Sequence, residues 1–190
     1  MSLYKNRYRI ESARLKNWDY SSNGYYFITL CTRNRKHLFG KKINNEIQLS
    51  DIGKIVFHEW NESFFIRNEL FCDCFVIMPD HIHGVIRINY PSAETHAPVE
   101  THAPLETHAP LETHAVLSLR GCGRTPKSIS SFVAGFKSHA TRLINEYQNT
   151  PGGSVWQPRF HDHVVRNNDE LNRIRNYIKN NPYKWKDDNL

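Results

Sequence analysis

The sequence predicts an α+β domain, an antiparallel sheet with helices packed on one face. Three stretches rich in aromatic and β-branched residues read as strands, three amphipathic stretches read as helices, and the strands come mostly before the helices. With 190 residues the chain is one domain by length, long enough to bury a real core.

The first strand is YYFITLCT (25–32), which follows the turn-like SSNG. DIGKIVFHEWNESFF (51–65) sets Ile52, Ile55, Val56, Trp60 and Phe64 at helical spacing, with Ser50 or Asp51 as cap. LFCDCFVIM (70–78) and HGVIRINY (83–90) are the next strands, joined at the Pro79-Asp80 turn signal. In the second half, Thr125 and Pro126 are placed to open a helix as N-cap and first helical residue. Ile129, Phe132, Val133, Phe136, Ala140, Leu143, Ile144 and Tyr147 form its apolar stripe. A last helix begins near Asn168, with Asp169 and Glu170 suiting its positive first turn and Leu171, Ile174, Tyr177 and Ile178 as its apolar face. Pro182 disfavours the helical conformation at Asn181 and predicts the helix end there.

Lys and Arg number 25 against 19 Asp and Glu, a net charge of +6 that favours a polyanionic partner such as nucleic acid. Cys31, Cys72, Cys74 and Cys122 show no CxxC spacing, which argues against a structural zinc site. Cys72 and Cys74 read as small strand residues. Residues 1–18 are polar and basic, without the apolar segment of a signal peptide, and no apolar run approaches the roughly 20 residues of a membrane span. The expectation is a cytoplasmic protein that does not enter a membrane.

Residues 94–115 read ETHAPV ETHAPL ETHAPL ETHA, a six-residue repeat too short for a solenoid or propeller unit. It carries a proline in each complete unit and few large apolar residues, so it cannot form a helix or bury a core. Four of the eleven histidines lie in it. The segment 92–119 is read as a low-complexity insertion, a solvated loop between two halves of one domain, rather than a metal-binding tract.

The chemistry concentrates in MPDHIHGV (78–85). Side chains two apart on a strand share a face, so His81 and His83 can reach one divalent ion, with Ile82 opposite. From the pair alone the plainer reading, two polar strand residues, is the better one, and a metal would need a third protein ligand or a substrate phosphate. Other two-histidine chemistries fail on spacing. A histidine triad would need His where Val85 stands, H-x-T/S phosphoesterases would need Thr or Ser at His83, and no H-E-x-x-H is present. Tyr177 and Asn181 are four apart and so neighbours on one helix face. That spacing fits a nucleophile beside a third ligand, and equally a core tyrosine and a helix terminus.

Four blocks then resemble one family: ARLKNWDYSSNGYYFITLCTRNRKHLFG (13–40), FVIMPDHIHGVI (75–86), FVAGFKSHATRLIN (132–145) and WQPRFHDHVVRNNDELNRIRNYIKNNP (156–182). In this order they are similar to the REP-associated tyrosine transposases, single-tyrosine members of the HUH (His, hydrophobic, His) superfamily. The resemblance implies a ferredoxin-like, HUH endonuclease-like fold whose central strand carries the histidines, plus a C-terminal helix that presents the tyrosine. It assigns His81 and His83 as the HUH pair, Tyr177 as the nucleophile and Asn181 as third metal ligand, where relatives often carry Gln. Asp80 stands where the family more often has Asn, and His161 where an aromatic residue is commoner. The second H-x-H, His161 and His163, is accordingly set aside as coincidental, with His163 given to local hydrogen bonding.

The implied activity is that of a transposase and endonuclease acting in DNA recombination. It cuts and rejoins single-stranded DNA at hairpin-associated palindromic sites through a 5′-phosphotyrosine intermediate, with Mg²⁺ or Mn²⁺ as cofactor. The enzyme would work as a monomer or a homodimer. Arg33, Arg35, Lys36 and Lys137 are the candidate phosphate contacts. Two other classes fit the residues less fully. A non-catalytic nucleic-acid-binding domain with a decayed site needs none of His81, His83 and Tyr177, and a metal phosphodiesterase that uses water has no need of Tyr177. Deleting residues 94–115 should leave the chain folded and the strand-transfer activity intact, as circular dichroism and a cleavage assay would read.

Overall fold

The computed structural model describes residues 3–4, 7–8, 14–15, 17–90 and 125–185. The repeat and its flanks, and Cys122, lie outside the described residues. In chain order the elements are β1 (Leu3–Tyr4), β2 (Arg7–Tyr8), β3 (Gly24–Cys31), β4 (Gly40–Ile43), β5 (Glu46–Leu49), α1 (Asp51–Phe65), β6 (Leu70–Met78), β7 (His81–Ile88), α2 (Ile129–Gln148), β8 (His161–Val165) and α3 (Asn168–Lys184). A four-stranded antiparallel sheet in the order β6-β7-β3-β8 forms the centre.

Alternation along the strands sorts the sheet into two faces. Tyr26, Ile28 and Leu30 of β3 and Ile82, Ile86 and Ile88 of β7 point to one side and are buried. Val56 and Trp60 of α1, and Phe132, Phe136, Ala140 and Ile144 of α2, cover them to make the main core. The fold class is thus α+β as expected, with α1 and α2 on one face and α3 across the other, over a smaller cluster of Val85, Leu171 and Ile178.

Gly84 is the point of closest approach between sheet and helix. A Cβ there would sit 2.6 Å from Cζ2 of the fully buried Trp60 ring. Trp60 in turn stacks on Phe75 and meets Phe132 and Phe136 edge-on, so the ring has no room to retreat.

Three local expectations need correction. α2 begins at Ile129 with Ser128 as its cap, rather than at Pro126 after Thr125. Lys127 adopts φ 58°, which interrupts the helical path, and the Ser128 hydroxyl then accepts from Ser131 N–H at 3.3 Å. α3 does not stop at Asn181 but runs through Pro182 to Lys184. The proline forfeits one backbone bond close to the helix end. Trp185 N–H to the Asn181 carbonyl (3.0 Å) and Lys42 Nζ on the carbonyls of Tyr183 and Trp185 (3.0 Å each) secure the final turn. The third strand starts at His81 rather than His83 and ends at Ile88, because Pro79 and Asp80 alone form the turn.

The sequence reading also lacked the β4–β5 hairpin, whose Asn44-Asn45 turn has φ 49° and 66°, and the fourth strand β8.

Gly84→Ala should destabilise the protein by about 1–3 kcal/mol through overpacking against Trp60. Urea denaturation followed by tryptophan fluorescence would read it.

Candidate active site

β7 enters the sheet with His81 opposite Cys31 and His83 opposite Thr29, on the face away from the main core. Both imidazoles are buried, 4 % and 6 % exposed. The Asp80 carboxylate can only accept, so the 2.6 Å contact assigns the hydrogen of His81 to Nδ1. His83 Nδ1 is paired with the Thr29 hydroxyl at 2.8 Å. Each ring therefore turns its Nε2 toward the other, 3.0 Å away. Burial, then the nearby His81 and Arg35, push the His83 pKa down to about 3, which keeps that ring neutral.

α3 lies over this pair, and Tyr177 Oη stands 3.1 Å from His83 Nε2. The Tyr177 ring meets the His83 ring edge-on and packs against Phe27, which itself stacks on His83. Two turns along the helix Trp185 packs on His81, with His37 on its other side. Asn181 is spaced four residues from each, on the same helical stripe, and is buried at 9 % exposure. The structure thus gathers His81, His83 and Tyr177, with Asn181 on the helix face between the two rings that touch the histidines.

The donor set fits a divalent cation. Two nitrogens each about 2.1 Å from one ion at right angles lie about 3 Å apart, which is the separation seen. Two Nε2 lone pairs facing at that distance repel unless a proton or a cation lies between them. The Asp80–His81 bond is the carboxylate–histidine pairing common behind metal-bound imidazoles. Among the described residues no group of three His, Cys, Asp or Glu side chains is placed to hold a metal ion, so the protein would contribute two imidazoles and the neutral amide of Asn181.

The other candidates fall in different places. Arg33 and Lys36 are exposed on the turn after β3. Arg35, on the same turn, is bonded inward to Asp80 Oδ2 at 2.7 Å. Lys137 is turned in as well: its Nζ donates to the carbonyls of Gln157 (2.8 Å) and Arg159 (3.2 Å), and burial lowers its pKa to about 8. His163 bonds Glu170 at 2.8 Å, the local role expected of it. His161 occupies the row that runs from His83 through Thr29, a placement that only the β3–β8 register supplies.

Sequence reading missed Thr29, Phe27 and Trp185, which reach the site across strands or from the helix end and carry no motif. It also missed the clamp that seats α3. A bulge in β6 between Cys72 and Cys74 turns Asp73 outward, where Arg175 grips it through Nε (2.8 Å) and a terminal nitrogen (2.5 Å). The same bulge shifts the strand's parity, so Cys72 accepts from Trp60 Nε1 on the core side while Cys74 joins the α3 cluster.

No protein-family model matches the chain. The solved structure of a REP-associated tyrosine transposase bound to a REP hairpin has a similar fold, with a TM-score of 0.54 at 20 % identity over 97 % of this chain and 74 % of that one. The architecture is therefore a transposase-like one. An uncharacterized protein of Haemophilus influenzae is 34 % identical over 180 residues, 94 % of this chain and 91 % of its own length, and the chain belongs to the same family as that protein. Among the described residues no helix is long and apolar enough to cross a membrane.

The hydrogen bond from Arg175 holds the Asp73 carboxyl below its ordinary range. A depressed carboxyl contributes stability above its unfolded pKa of about 3.9, and that contribution is lost as pH falls through the folded value. The Arg175 side chain is 42 % exposed, so solvent screening reduces the effect. Asp73→Asn should therefore be less stable than wild type near neutrality, with the gap closing in acid. Urea midpoints of the two proteins at about pH 7 and about pH 3 would check this.

Proposed function

We propose that the protein is a metal-dependent single-stranded DNA transposase or nuclease that cuts and rejoins strands through Tyr177. The observation that carries the reading is the Tyr177 hydroxyl 3.1 Å from His83 Nε2, itself 3.0 Å from His81 Nε2, within one chain. A helix that brings a half-exposed phenol onto two buried imidazoles is poor core packing and good nucleophile placement.

Tyr177 Oη attacks the phosphorus of a phosphodiester. A bond to the tyrosine oxygen forms, the bond to the 3′-oxygen breaks, and the proton lost from the phenol is balanced by the one taken up at the released 3′-OH. A divalent ion, Mg²⁺ or Mn²⁺, held by His81, His83 and Asn181 would supply Lewis-acid polarisation of a non-bridging phosphate oxygen. Phe27 and His83 fix the tyrosine ring through edge contacts. The Asp73–Arg175 grip lies two residues before Tyr177 and limits how far the helix can drift from the histidines. A phenol is a better leaving group than an alcohol, so the tyrosine ester retains the energy of the bond it replaced and a 3′-OH can reverse it.

The similar structure with a bound REP hairpin supports a hairpin-bearing DNA strand as the substrate class, and the net charge of +6 agrees with it.

Incubated with labelled single-stranded hairpin DNA and Mn²⁺, the protein should form a covalent adduct that survives a denaturing gel. Tyr177→Phe and chelator should each abolish the adduct while Tyr177→Phe still binds the DNA. Cleavage that persists in Tyr177→Phe would instead assign the attack to water.

A further inference from the structure

We propose that Arg35 and Asp80 form a positioning pair that locks His81 in the tautomer presenting its Nε2 to the site. The proposal deepens the reading of His81 and His83 as a metal pair and rests on it for its effect on metal affinity, but not for its effect on the ring.

Asp80 is 2 % exposed and each of its oxygens has one partner, His81 Nδ1 on Oδ1 at 2.6 Å and Arg35 Nε on Oδ2 at 2.7 Å. A buried carboxylate needs both partners, since an unpaired one is costly in a poorly hydrated site. An asparagine could still accept from His81 with its carbonyl, but its amide hydrogens would then face the guanidinium, donor against donor. With Arg35 in place, the carboxylate is the group that satisfies both neighbours.

The backbone that delivers Arg35 is the second observation. Asn34 and Arg35 both adopt the left-handed conformation, φ 56° and 54°. Asparagine tolerates this region, whereas an arginine there is uncommon and strained. The turn is held by Arg33 N–H on the Val155 carbonyl (2.7 Å) and Arg35 N–H on the Thr32 carbonyl (3.2 Å). A glycine at position 35 would relieve the strain and lose the guanidinium. Burial does not account for the side chain, which is 51 % exposed. Its NH1 also meets Cys31 Sγ at 2.9 Å, and Cys31 is the cross-strand partner of His81. The guanidinium is thus held at two points, by the carboxylate behind His81 and by the sulfur of its cross-strand partner.

Arg35 acts through Asp80, and Asp80 through His81; both are positioning residues. In protein with ¹⁵N-labelled histidine, long-range ¹H–¹⁵N correlation spectra of the wild type should show His81 protonated at Nδ1 alone. Asp80→Asn should add a population protonated at Nε2, and calorimetric titration with MnCl₂ should find affinity lowered about 10- to 100-fold. Arg35→Gln should weaken Mn²⁺ binding in the wild-type background and add nothing in the Asp80→Asn background. An unchanged His81 tautomer in Asp80→Asn would overturn the proposal. An equal loss from Arg35→Gln in both backgrounds would overturn the part given to Arg35. If the wild type takes up no Mn²⁺, the metal reading fails, and the tautomer spectra still decide the positioning claim. If Asp80→Asn does not fold, the His81 tautomer in Arg35→Gln decides it.

Discussion

A slip of one residue between β6 and β7 would turn His81 and His83 into the main core and bring Ile82 and Gly84 out beneath α3. The site therefore depends on the register of one hairpin, and that register is set at Pro79 and Asp80. Two-residue hairpins favour turns with positive φ, which proline cannot adopt and Asp80 does not. The turn is held from outside instead. Thr32 N–H donates to the Asp80 carbonyl at 2.9 Å, the Thr32 hydroxyl lies 3.0 Å from the same oxygen, and Phe39 N–H donates to the Pro79 carbonyl at 2.9 Å. Thr32 is fully buried, so these bonds form where water cannot compete.

The second requirement is a helix seated against the open face of the sheet. The apolar contact there is small, Val85 with Leu171 and Ile178 and a few partly buried neighbours. Polar attachments along α3 make up for it: Asn167 caps its start at 2.8 Å, Glu170 ties it to His163, Arg175 grips the bulged Asp73, and Lys42 takes its last carbonyls. This division of labour leaves the face beneath α3 open around Tyr177, as the proposed DNA substrate would require. A large apolar seam beneath α3 would bury Tyr177, whereas pinned ends leave its ring 46 % exposed between them.

Electrostatically the site combines two buried imidazoles with a cationic rim. Arg35 and Lys137 stand near the end of β3, but both are engaged inside the protein, Arg35 in an ion pair with Asp80 and Lys137 in hydrogen bonds to the backbone of residues 157 and 159. Arg33 and Lys36 remain exposed beside them. The positive character of this end of the sheet thus comes partly from groups that hold the fold. Counting basic residues along the chain does not separate the two uses.

What could be read from the residues alone is what local chemistry fixes. The strand at 70–78, the helix at 51–65 with its Ser50 cap, and the shared face of His81 and His83 follow from periodicity, because neighbours along one element obey its repeat. The Tyr177–Asn181 spacing was equally legible, although its meaning came from the family resemblance. Local rules misplaced the start of α2 and the end of α3, where Lys127 takes a left-handed turn and Lys42, far away in sequence, secures a helix that Pro182 weakens. The groups that hold the site side chains in place were decided by tertiary structure alone. Thr29 lies 54 residues from His83, Arg35 reaches Asp80 from a strained turn, and Arg175 meets Asp73 across 102 residues because a bulge turned it outward. Hydrogen bonds between such residues depend on register and on which face a helix crosses, and neither leaves a period in the sequence. The sequence by itself determined which side chains share one strand face and one helix stripe, and only the packed sheet decided that they meet and what holds them in position.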